Sequence, residues 1–128
     1  MANMIKTSSY STEKDILLAP HLAFTIAVQV NNTGVATENG KKIIPAGTPV
    51  GGTTSVLETR STVLSVTNKA ADGANAQGVL RHDVDVTDGT ANAELIIGGY
   101  VDSSKCPTID TTAKTALTRI VFVNGGAY

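Results

Sequence analysis

A chain of 128 residues with 41% hydrophobic and 16% charged side chains has the length of one domain and the apolar content for one modest core, which excludes a disordered acidic tail and a highly charged helical bundle. Ten Lys and Arg against eleven Asp and Glu give a formal charge of −1; without a basic stripe to displace counterions from phosphates, nucleic acid is not an expected partner. Cys106 is the only cysteine, so no internal disulfide or cysteine-based zinc cluster can form, and the chain is compatible with a reducing cytoplasm.

Residues 1 to 20 are polar and rich in Ser and Thr, broken only by Ile16, Leu17 and Leu18 and closed by Pro20. Such a segment cannot build its own core and reads as an extended N-terminal arm, residues 1–20, ahead of a single β-rich domain, residues 21–128. It holds no apolar run of signal-peptide length, and no stretch approaches the roughly 18 apolar residues of a membrane span, so synthesis in the cytoplasm without a membrane partner is expected.

From Leu22 the chain alternates: Leu22, Phe24, Ile26, Val28 and Val30 share one face, with Ala23, Thr25, Ala27 and Gln29 on the other. That period of two, rich in β-branched side chains, predicts a half-buried strand. Asn31 to Gly34 closes it, and Asn39-Gly40 is the pair that accepts positive φ at both centres of a type I′ hairpin turn. In "KKIIPAGTPVGGTT" (41–54) the prolines and glycines are too closely spaced for a helix or a long central strand, which predicts extended pieces and turns on the surface.

Val63, Leu64 and Val66 mark another strand, and "KAADGANAQG" reads as a small-residue loop. "GVLRHDVDVTDGTANAELIIGGYV" (78–101) reads as two strands, about 79–86 and 93–101, joined by a turn-rich segment. Asp110 is a candidate N-cap for a short helix whose Ala113, Ala116 and Leu117 fall at i, i+3 and i+4. "RIVFV" then returns to a β pattern that stops at Asn124-Gly125-Gly126. The expected fold is mainly β, a compact small barrel or sandwich with one short helix near the C-terminus.

Only the stretch around His82, Asp83, Asp85, Asp88 and Glu94 suggests chemistry. As an EF-hand loop it would place Asp83, Asp85 and Glu94 at the first, third and twelfth positions, but the sixth, which must be glycine, is Asp88. On a strand Asp83 and Asp85 share a face about 6.6 Å apart, whereas His82 points the other way with Leu80, Val84 and Val86, so the three do not converge locally. Cys106 beside Pro107 lacks the helix N-terminus or basic cluster that activates a thiol. "AGTPVGG" lacks the lysine of a phosphate loop, and three Tyr, two Phe and no Trp make a poor stacking platform. No enzyme signature, metal site or cofactor is expected.

Taken in order, "AGTPVGG" (46–52), "ANAQGVLRHDVDVTDGTANAELIIGGYVDSSK" (74–105), a short helix and the terminal "RIVFV" resemble the head fiber and head decoration proteins of tailed bacteriophages. In that family an AGTP-type stretch precedes a G-[VIL]-L-x-H-D-V-D-V-T segment and a second strand rich in aliphatics and glycine. The likeness runs from Ala46 to Val123, and "GVLRHDVDVT" (78–87) is its most specific part. The resemblance implies a β-rich, non-enzymatic capsid decoration or cement protein, often a homotrimer, added to the outer surface of the virion head and contacting the major capsid protein. It assigns His82, Asp83 and Asp85 to fold or subunit contacts. Because the chain stops at Tyr128, a compact subunit is expected in place of a projecting fiber. The arm is then expected to dock on the shell by strand addition, with Ile16, Leu17 and Leu18 as apolar anchor. The alternatives are a ligand- or metal-binding β-domain using acids around Asp83 and Asp85, and a cell-surface adhesion module, for which no export signal is seen.

Overall fold

The computed structural model describes residues 16–18 and 20–124, and among these it has eight strands and one short helix. The strands are β1 (Phe24–Val30), β2 (Ile43–Ile44), β3 (Pro49–Gly51), β4 (Val63–Val66), β5 (Ala76–Leu80), β6 (Val84–Asp85), β7 (Ala91–Asp102) and β8 (Ile120–Val123); the helix α1 is Thr111–Ala116. The order β1-β4-β3-β5-β7, with β7 pairing back to β1, closes a five-stranded barrel, so the protein is mainly β as expected. Most of the expected arm, residues 1–15, and the Gly125-Gly126 stop lie outside the described residues.

β7 is the backbone of the architecture. Its first part pairs antiparallel with β1 along one edge, from Phe24 opposite Gly98 to Val30 opposite Ala91, and with β5 along the other, Val79 opposite Ile96 and Leu80 opposite Leu95. Over residues 95–97 both of its faces are buried. Leu95 and Ile97 point into the barrel with Val28, Val30, Val50, Leu64 and Leu80. Ile96 points outward, under α1, with Val79, Ala113, Leu117 and Ile120. The unbroken aliphatic run at 95–97 follows from this double burial, since a strand covered on both sides needs no polar alternation.

Phe24 pairs with Gly98 but Thr25 with Ile96, so Ile97 is an extra residue on β7, a β-bulge, and Gly99 follows with a φ of +136°. The bulge shifts the phase of the strand, and Val101 therefore joins Ile96 on the helix-covered side. Beyond it β7 gains two new neighbours. β8 pairs in parallel, Tyr100 with Val121 and Val101 with Phe122. On the other edge Leu17 lies opposite Val101, the Leu18 N–H donates to the Tyr100 carbonyl at 3.0 Å, and the Asp102 N–H donates to the Ile16 carbonyl at 2.7 Å. Residues 16–18 thus belong to the sheet. Ile16 and Leu17 are buried in the outer core, and only Leu18 of the three stays on the surface.

Several local expectations hold. Asn39 and Gly40 have φ of 54° and 78° between the paired Glu38 and Lys41, the tight hairpin turn read from the sequence. The Asp110 carboxylate accepts from the Thr112 N–H at 2.9 Å and caps α1. Others need correction. The alternation does not begin at Leu22, which lies in a 3-10 turn, and Phe24, the first residue of β1, is not covered; the two are 59% and 56% exposed. The Pro/Gly-rich segment is not superficial: residues 46–51 are buried, because Val50 pairs with Val66 on one side and Gly78 on the other. Pro49 is tolerated there as the first residue of its strand. The single strand expected over 79–86 is two, broken after Leu80; β5 stays in the barrel while β6 turns away to pair with β2.

Crowding at β3 gives a direct test. A Cβ on Gly51 would collide with the Asn75 carbonyl, whereas one on Gly52 would meet nothing within 4 Å. Gly51→Ala should therefore lose about 2–3 kcal/mol or more in urea denaturation, and Gly52→Ala should stay within about 0.5 kcal/mol of the parent.

Candidate functional site

Asp83 gives up strand geometry for a specific bond. Its Oδ1 accepts from the Ala46 N–H at 2.8 Å, joining positions 37 apart in sequence. Ala46 sits in a tight turn in which the Thr48 N–H and hydroxyl both donate to the Pro45 carbonyl, at 3.2 and 2.7 Å. Gly47, with a φ of +89°, supplies the positive φ that this turn requires at its third residue. A Cβ there would also lie 2.5 Å from the Cys106 Sγ. The Gly47 N–H donates to the Leu80 carbonyl at 2.7 Å, and the Leu80 N–H returns to the Thr48 carbonyl at 3.2 Å. "AGTP" and "LRHD" are thereby clasped together.

Asp85 serves a second fastening. Its Oδ1 accepts from the Thr87 hydroxyl at 2.6 Å and the Thr87 N–H at 2.9 Å, and the same hydroxyl oxygen accepts from the Lys42 N–H at 2.9 Å. The Val86 N–H donates to the Lys42 carbonyl at 2.8 Å. Together these hold the β2–β6 pair so that Ile44, Val84 and Val86 pack on the barrel interior. The Thr87 hydroxyl, then the Thr87 N–H, hold the Asp85 carboxyl below the usual aspartate range, with Lys41 adding a smaller pull.

Glu94, which the sequence offered only as the twelfth position of a calcium loop, pairs instead with Arg81, and the two form the centre of the exposed cluster. The Arg81 Nη1 donates to Glu94 Oε2 at 3.0 Å, and His82 Nε2 lies 3.7 Å from Glu94 Oε1. Partial burial pushes the Glu94 carboxyl up, but hydrogen bonds from Arg81 and Thr25 and the nearby Arg81 and His82 charges outweigh it, and the net shift is downward. The signal was the register alone: once Leu80 stands opposite Leu95, Arg81 must stand beside Glu94.

His82, whose side chain is 59% exposed, thus meets Glu94 and leaves the apolar face expected for it. It shares with Asp83, Asp85 and Glu94 a shallow concavity of about 650 Å³, floored by Ile26, Ala27 and Ala93. Asp83 and Asp85 do not act as a pair, since one carboxylate binds Ala46 and the other Thr87. Of the expected docking residues, Ile16 and Leu17 are inside the fold and Leu18 is outside it. The half-buried Cys106 directs its thiol to the Asp102 carbonyl at 3.4 Å. Among the described residues no group of three or more His, Cys, Asp and Glu side chains comes together to hold a metal.

The fold and this cluster define a small closed β-barrel, covered by one short helix, whose acidic side chains act as hydrogen-bond acceptors for its own backbone. No family model matches the chain, and no curated protein matches it either. Among the described residues no helix is long and apolar enough to cross a membrane.

Two substitutions read the cluster. Asp83→Ala strands the buried Ala46 N–H and should cost about 1–3 kcal/mol in urea denaturation, with Asp83→Asn, which keeps an acceptor oxygen, recovering part of it. The lowered Glu94 carboxyl stabilises the folded state above its unfolded-state value and loses that contribution as pH falls through the folded one. Both partners are partly exposed, so Glu94→Gln should cost at most about 1 kcal/mol near neutral pH. The difference from the parent should shrink as pH falls below the ordinary glutamate range in chemical denaturation.

Proposed function

We propose that this is a non-enzymatic decoration protein of a tailed bacteriophage that binds the outer surface of the head through the major capsid protein, as a homotrimer, and stabilises the shell. What supports the reading most is that the two segments carrying the resemblance are bonded to each other. Residues 46–48 and 80–83 meet through the Asp83–Ala46, Gly47–Leu80 and Leu80–Thr48 hydrogen bonds. A likeness spread over distant stretches is thereby one physical unit, the element that seats β3 in the barrel.

The chemistry of the role is repeated weak contact. Three copies of one docking surface reach the shell at high effective concentration once the first has bound, so individually weak contacts hold durably. With Ile16 and Leu17 taken into the core, the docking contact in this reading falls to the segment that precedes them, residues 1–15. Strand addition remains the suggested mode, since main-chain hydrogen bonds give affinity without a deep pocket.

Co-sedimentation with phage heads assembled without this protein tests the proposal. Saturable binding at a few copies per capsomer is expected, falling by roughly tenfold or more when residues 1–15 are deleted. Absence of binding by the full chain at every concentration would reject the decoration role.

A further inference from the structure

Five of the exposed large apolar side chains gather in one place. Leu18, Tyr100 and Val121 form a row across three adjacent strands, because residues opposite one another in a sheet share a face. They are 44%, 44% and 48% exposed. Phe24, opposite Gly98, and Leu22, in the turn just before it, extend the row toward the barrel. Val101 continues the helix-covered side of β7, so Tyr100 continues the inner side past the end of the barrel, where no described residue covers it. Among the described residues, two basic side chains border this patch. Arg119 is exposed beside Gly98, and His21 is exposed within the turn that carries Leu22.

Directly along β1 lies the concavity already described. Thr25, Ile26 and Ala27 follow Phe24 and form one of its walls, and the exposed Asp83 and Asp85 form the facing one. Arg81 balances Glu94 there and Lys41 offsets Asp85 in part, which leaves the acidic wall without full compensation. Two copies meeting patch to patch would set Arg119 and His21 against their own equivalents. Patch against concavity sets opposite charges together and covers the apolar row. A contact between two different surfaces of the same chain is head to tail, and such contacts close into a ring when the rotation between copies closes and run on as a filament when it does not.

We infer that copies of this chain associate head to tail, the apolar patch around Phe24 and Tyr100 of one copy seated on the concavity between β1 and Asp83–Asp85 of the next. The inference rests on the trimeric reading given above and names the surfaces that make the trimer. The occupant of the patch is therefore a second copy of the chain.

Sedimentation velocity on the full chain tests it. The parent should run at three times the chain mass. Phe24→Asp, which breaks the patch, and Ala27→Trp, which fills the concavity from an exposed position, should each lower the mass threefold while keeping the parent's far-UV circular dichroism and a cooperative urea transition. Leu57→Asp, at an exposed apolar site elsewhere, should leave the trimer intact. A monomeric parent would overturn the inference and give the patch to the shell or to residues 1–15 of the same chain. An Ala27→Trp trimer would overturn it by removing the concavity from the contact. Co-sedimentation separates this from the decoration role: heads bound by a monomeric parent would sink the contact alone, whereas a parent trimer that ignores heads would sink the role alone.

Discussion

The hydrogen bonds between residues 46–48 and 80–83 are the constraint on which the rest of the fold depends. A segment rich in Pro and Gly has no periodicity with which to specify a strand. Here the turn at Pro45 to Thr48 is tied to the end of β5 by two backbone bonds and one carboxylate, and β3 follows at once in the middle of the barrel. The same tie ends β5 at Leu80 and releases the chain toward β6. The β2–β6 pair then lies over the barrel interior, held by Asp85 through Thr87. One clasp therefore sets the start of one strand and the end of another.

That arrangement accounts for how a chain poor in aromatics builds a core. β5 and β7 are each covered on both faces, so the aliphatic side chains of two strands serve two clusters, one inside the barrel and one under α1. The cost is that β7 must be long, and past its bulge at Ile97 it runs beyond the barrel, where its inner side is apolar and no described residue covers it. Asp83, Asp85 and Glu94 are engaged with Ala46, Thr87 and Arg81 respectively. A contiguous exposed apolar face is distinct from the single exposed side chains found on any surface.

Much of this was legible in the sequence where local physics decides. Val28 and Val30 face the core as their alternation requires, Asn39-Gly40 makes its turn, and Asp110 caps its helix. Legibility failed where a distant partner decides. The alternation of Leu80, Val84 and Val86 runs unbroken through residues 81–83, and only the Asp83 bond to Ala46 divides it. Val50 is buried by β4 and β5, which its own neighbours in sequence cannot indicate. Ile16 and Leu17 form too short an apolar group to announce a strand, and they gain their place from Val101 and Asp102. At the candidate site, His82 and Glu94 meet only because the β5–β7 register sets them side by side.

Native-state hydrogen exchange of the Ala46 and Gly47 amides tests the clasp most directly. If these bonds set the architecture, both amides should exchange only through global unfolding, with opening free energies within about 1 kcal/mol of that of the Val28 amide in β1. Exchange of Ala46 and Gly47 at rates near those of an unstructured chain, while Val28 stays protected, would show that the turn opens independently of the barrel and would contradict the account.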